Sequence, residues 1–239
     1  MIPVRDDNPR RYPPVATWCI IGFTVLVYFY EASLSNDSLQ SLIQTFGFVP
    51  AQLTHTGIAV ATVIPLLTCM FLHGGFLHIL GNMWSLWIFG DNVEDRMGPA
   101  RFVTFYVLCG VAAGLVHWMM NPESTIPTVG ASGAISGVMG AYLVLSPRAR
   151  IIMFLPLLFV PYFFQMPAWV YLAFWFVGQG LSGIETIGRA DVGGVAFWAH
   201  VGGFVAGIVL CRLFARPGEA RRPPQPDEML PRAAWARGL

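Results

Sequence analysis

Among the polar side chains inside the chain's apolar stretches, four stand out: His78, Asn82, Ser132 and His200. Such groups are costly in lipid, so each has a functional or a packing reason to be there. Ser132 lies in Gly130-Ala131-Ser132-Gly133, where flanking glycines permit a tight turn and close approach of another backbone. A serine that opens a helix there has N–H groups without intrahelical partners beside its hydroxyl, together with the favourable end of the helix dipole. Acyl transfer needs such donors for its oxyanion. His200 can take the serine proton and return it to a leaving amine. His78 and Asn82, spaced i, i+4, share one helix face and could add two side-chain donors. The spans are expected to be free of acids that could orient the histidine, so the pattern reads as a Ser–His dyad and not a triad. Each piece alone has a packing explanation: a Gly-x-Ser-Gly often serves helix contact, and His78 with Asn82 could cross-link helices. Their agreement favours chemistry.

The elements that must position these groups are membrane spans. The chain of 239 residues is 55% hydrophobic and 11% charged, against about 25% charged for a soluble domain. Apolar runs reach the ~20 residues a spanning helix needs. Spans are expected at roughly 14–32, 74–91, 101–120, 132–147, 167–184 and 195–214. The segment 33–73 is apolar but broken by Pro50 and Pro65, so short helices at the membrane interface are expected. Pro156, Pro161 and Pro167 make the first half of 151–184 an interrupted, surface-lying piece. At about 1.5 Å per residue, Ser132 lies roughly 24 Å and His200 roughly 18 Å from the arginine-marked ends of their spans. The two groups and the His78–Asn82 pair thus reach similar depth, recessed from the opposite surface. Gly203 and Gly207 form a Gly-x-x-x-Gly one turn after His200, which would press the sixth span against the fourth and bring His200 to Ser132.

Arginine placement orients the bundle. There is no lysine, and with six spans thirteen of the fourteen arginines fall on one side, Arg189 being the exception. That side is expected to be cytoplasmic, with both termini on it. The expected organisation is a cytoplasmic segment 1–13, a six-span domain 14–215, and a disordered Pro/Arg-rich cytoplasmic tail 216–239. The amino-terminal run lacks a cleavable-signal pattern. The four cysteines read as apolar packing residues and not as disulfides.

The ordered set of motifs resembles the rhomboid family of intramembrane serine proteases, from the first span to Arg212. His73-Gly-Gly-Phe-Leu-His78-Ile-Leu-Gly-Asn82 is similar to that family's His-x-x-x-Asn motif, and Glu94-Asp95-Arg96 to its Glu-x-Arg turn. Gly130-Ala131-Ser132-Gly133 resembles its nucleophile motif, and Ala199-His200-Val201-Gly202-Gly203 with Gly207 its base motif. The resemblance implies an all-α polytopic membrane protein: a bacterial-type bundle of six transmembrane helices with a long, partly embedded first loop. It implies Ser132 as nucleophile, His200 as general base, and an oxyanion hole of His78, Asn82 and the Ser132 N–H. Gly133, Gly203 and Gly207 would give structural support, and Glu94 and Arg96 would link the second and third spans at their cytoplasmic end. Substrates would be membrane proteins cut at or near a transmembrane helix, in what the resemblance makes a bacterial inner membrane, with the site open toward the outer side. The loop before the second span, residues 185–194 and the fifth span would control access from lipid.

Three features depart from the family's pattern, the first being that the long first loop lacks the Trp-Arg pair of some members, Ile64-Pro65 standing about where it would be. Ser136 stands where some members carry an aromatic that packs on the base, which would leave His200 less tightly fixed. Gly81 is small where others are bulky, which widens the lateral approach. No cofactor, metal or nucleic-acid partner is expected. A transporter or channel, or a catalytically inactive rhomboid-like binding protein, are the alternatives.

Overall fold

The computed structural model describes residues 1–157, 160–185 and 196–216. The expected access loop around 185–194, with Arg189, and the tail after residue 216 lie almost wholly outside them.

Six helices form the bundle: α1 (Val15–Ser33), α5 (Phe76–Met97), α6 (Pro99–Met120), α7 (Ser132–Leu145), α8 (Ala168–Glu185) and α9 (Phe197–Phe214). They fall on the six expected spans within two residues at each end, except that α5 runs on to Met97, six residues past the expected end. α1, α6 and α9 are each long and apolar enough to cross a bilayer, and Val60–Phe71 with Phe76–Met97 passes the same test as a bent pair. α7 and α8 are apolar but shorter. The chain is an integral, polytopic, α-helical membrane protein. Leu26, Phe29, Phe174, Val209 and Leu213 project from the bundle, as side chains facing lipid do.

Between α1 and α5 the chain forms α2 (Asn36–Phe46), α3 (Pro50–Thr56) and α4 (Val60–Thr68), followed by a 3₁₀ turn at Cys69–Phe71. Ser35 caps α2 by accepting the Ser38 N–H, and Pro50 opens α3 at the position where its missing N–H costs nothing.

α7 is the centre of the molecule. At 14 residues it is about 21 Å long, and every residue from Gly133 to Tyr142 is buried. It packs on α5, α6 and α9. Its contact with α9 is backbone on backbone: a Cβ at Gly203 would meet the Gly133 carbonyl, and one at Gly207 the Gly137 carbonyl, both nearer than 3.0 Å.

The expectation of acid-free spans needs correction. The last turn of α1 carries Glu31, which is buried and accepts the His73 N–H at 3.2 and 3.3 Å. A carboxylate is tolerated there because it satisfies a buried backbone donor of the turn that leads into α5.

The second difference is a sheet. The interrupted, surface-lying piece expected before the fifth span is a hairpin, β2 (Arg150–Leu157) and β3 (Val160–Pro167), with β1 (Ile2–Asp6) antiparallel to β2 on its other side. The three prolines exclude a helix, while Ile151, Ile152, Tyr162, Phe163 and Phe164 suit a pleated surface. Asp6 anchors β1 by accepting from Asn92 Nδ2 at 3.0 Å and from the Tyr142 hydroxyl. Asp95 accepts the N–H groups of Arg11 and Tyr12 at 3.0 and 2.9 Å. The amino-terminal segment is thereby tied to the ends of α5 and α7 remote from Ser132.

Candidate active site

Ser132 is the first residue of α7. The helical ladder starts with Ile135 N–H donating to Ala131 C=O, so the N–H groups of Ser132, Gly133 and Ala134 precede it. The approach to the helix depends on Gly130, whose φ of +125° disfavours any side chain. Its N–H is fixed by the Cys69 carbonyl at 2.9 Å. A Cβ at Gly130 would stand 2.8 Å from His78 Nε2 and 3.8 Å from Ser132 Oγ. The imidazole edge and the hydroxyl therefore border one small space.

His200 comes from the first turn of α9. Its Nε2 lies 2.8 Å from Ser132 Oγ, hydrogen-bond distance for a proton to pass between them. Its Nδ1 lies 2.5 Å from Gln179 Oε1 on α8, and the Trp175 ring, also on α8, has its centroid 5.8 Å from that of the imidazole. Only 9% of His200 is exposed.

Asn82 is buried and donates one N–H back to the His78 carbonyl at 3.0 Å, which leaves its second N–H for another acceptor. His78, Asn82, Ser132 and His200 all line one cavity of about 910 Å³. It has room for an extended stretch of polypeptide beside the hydroxyl. Gly81 lies on its wall, and no atom stands within 4 Å of where a Cβ there would be. Among the described residues no group of His, Cys, Asp and Glu is arranged to hold a metal ion.

A rhomboid domain model matches residues 60–217, which hold every one of these groups. The chain belongs to the rhomboid family. RHOMBOID-like protein 5 of Arabidopsis thaliana is 41% identical over 138 residues, covering 58% of this chain and 43% of the relative. The rhomboid protease GluP of Bacillus subtilis is 33% identical over 138 residues, 56% of this chain and 26% of its own length. Rhomboid protein 1 of yeast mitochondria is 24% identical over 223 residues, 89% of this chain and 57% of its own length. The chain thus spans less than half the length of the first two relatives.

In this rhomboid, the Glu94 carbonyl accepts the Gly98 N–H at the turn between α5 and α6, and its side chain reaches the first span. Its carboxylate accepts the N–H groups of Ala16 and Thr17 at 2.9 and 2.7 Å and the Thr17 hydroxyl at 2.8 Å. It caps α1, whose N-cap Pro14 has no side-chain acceptor to offer. Arg96 contributes through its backbone: its carbonyl accepts the Arg216 N–H at 2.9 Å, which ties the end of α5 to the end of α9. Ser136 turns back on its own helix and donates to the Ser132 carbonyl at 2.6 Å.

The aromatic packing that Ser136 cannot supply comes from Trp175, and a polar partner for the imidazole comes from Gln179. Sequence reasoning passed over both. The signal was present: between Met166 and Ile184, Gln179 and Ser182 are the polar side chains apart from aromatics, and a glutamine in the middle of a span calls for a partner.

Proposed function

We propose that this chain is a serine endopeptidase that cuts transmembrane or juxtamembrane segments of other membrane proteins. The observation that carries the reading is the 2.8 Å approach of His200 Nε2 to Ser132 Oγ across two helices that touch backbone to backbone. In the proposed reaction His200 takes the Ser132 proton as Oγ attacks the scissile carbonyl carbon. The carbonyl oxygen becomes an oxyanion at the start of α7, where the Ser132 N–H, His78 and the free N–H of Asn82 are its donors. The intermediate collapses as His200 protonates the leaving amine. Water, deprotonated by the same imidazole, then hydrolyses the acyl-enzyme.

Residues 14–215 would constitute the protease domain, with 216–239 as an appended tail. The arginine bias supports both termini in the cytoplasm and a cavity open toward the outer side; the likeness to a Bacillus subtilis rhomboid protease favours the bacterial cell (inner) membrane as its place. Substrate would enter past Gly81 and α8.

Cleavage of a single-span membrane protein by the purified chain in proteoliposomes tests the reading. It expects fragments with wild type and none with Ser132→Ala. A chain that binds such proteins and cuts none would be a binding-only rhomboid relative.

A further inference from the structure

We propose that Gln179 is a positioning residue for His200: it holds the imidazole in the one tautomer that can act as a base toward Ser132. This rests on the proteolytic reading above for its consequence, but the tautomer is a property of the histidine itself.

A neutral imidazole carries its proton on one nitrogen and accepts at the other. If Nε2 held it, the ring would donate to Ser132 Oγ and could not take the serine proton. Gln179 Oε1 faces Nδ1 at 2.5 Å, and a carbonyl oxygen only accepts. The proton therefore belongs on Nδ1, which leaves the Nε2 lone pair directed at Ser132 Oγ, 2.8 Å away. When Nε2 gains the serine proton, Nδ1–H still donates to the same oxygen, so the partner serves the imidazolium as well. An orienting group behind a catalytic imidazole commonly works in this way.

Location explains why the partner is an amide. His200 is buried inside the bundle, where an ionised carboxylate would need its own compensation. A glutamine supplies the acceptor without that cost. Trp175 and Gln179 are spaced i, i+4 and share one face of α8. The indole packs on the imidazole while the amide fixes its far nitrogen. One helix face thus sets both the position and the protonation of the ring, with Ser136 occupied elsewhere.

The test combines two readouts on the full chain in detergent, with ¹⁵N-labelled histidine and His200 assigned by the signal lost in His200→Asn. In wild type the ¹⁵N shifts of His200 should report the Nδ1–H tautomer. In Gln179→Leu they should move toward a mixture, and a fluorophosphonate probe should modify Ser132 about tenfold more slowly, the effect of one lost hydrogen bond. Gln179→Glu, whose carboxyl oxygen can accept the same N–H, should recover most of the rate; a role in packing alone would not need that oxygen. Gln179→Met keeps the length of the side chain without a strong acceptor and replaces the leucine variant if that protein is unstable. Unchanged tautomer populations, or an unchanged labelling rate, in the acceptor-free variant would overturn the proposal. Absence of Ser132 labelling in wild type would instead overturn the proteolytic reading, while the ¹⁵N shifts would still report on Gln179.

Discussion

Gly203 of α9 lies against the carbonyl oxygen of Gly133 of α7, with no room for a Cβ between them. Gly133 follows Ser132, and Gly203 is one turn beyond His200. The spacing of these two helices therefore sets the spacing of the two reactive groups. Gly203→Ala should force the helices apart at a cost of about 1–3 kcal/mol, as overpacking does. Probe labelling at Ser132 should fall by more than the loss of folded protein explains. Thermal unfolding in detergent and labelling of the folded fraction separate the two effects; equal labelling of folded variant and wild type would detach the contact from the chemistry.

The contact of Glu94 with α1 makes a different prediction. Glu94→Gln weakens the acceptor of Ala16 and Thr17 N–H groups and should destabilise the protein by about 1–3 kcal/mol. Thr17→Val removes one of the same bonds, so the pair should be non-additive in a double-mutant cycle. Additive losses would show that the carboxylate is not coupled to Thr17.

In the proposed reaction His78 and Asn82 serve the oxyanion. Loss of one such donor typically costs about 10²–10³ in kcat. The Ser132 N–H remains in either variant, so Asn82→Ala should cut slowly but above the Ser132→Ala background. His78→Ala should be at least as damaging, because it also empties the space beside Gly130. Unchanged kcat in both variants would return the pair to helix packing.

The proposed orientation rests on the arginine bias. Cys19 is exposed and is first replaced by serine. A cysteine at Glu123, exposed in the loop after α6, should then react with an impermeant thiol reagent in intact cells, and one at exposed Arg148 should not. The opposite pattern would invert the bundle.

The helices were legible because span length and hydropathy are local properties, and the positions of Ser132, His200, His78 and Asn82 followed from rare polar residues in those spans. Partners that are distant in sequence were not. β1 carries Arg5 and Asp6 and looks like a solvated arm, yet it joins β2 some 150 residues away. Nothing local announces such pairing, although three prolines did rule out a helix there. Glu94 was read against its neighbour Arg96, while its donors lie at residues 16 and 17. Ser136 suggested a loosely held base because some family members carry an aromatic at that position; here Trp175 arrives from another helix.

The central claim is that Ser132 and His200 act together on a peptide bond in the membrane. The most direct measurement is the turnover of a reconstituted single-span substrate by wild type, Ser132→Ala and His200→Ala, with mass spectrometry of the fluorophosphonate adduct. Cleavage should be abolished in both variants and unaffected by chelators, with the adduct on Ser132 in wild type and lost in His200→Ala. Cleavage that survives Ser132→Ala, or that disappears on chelation and returns with zinc, would contradict the account.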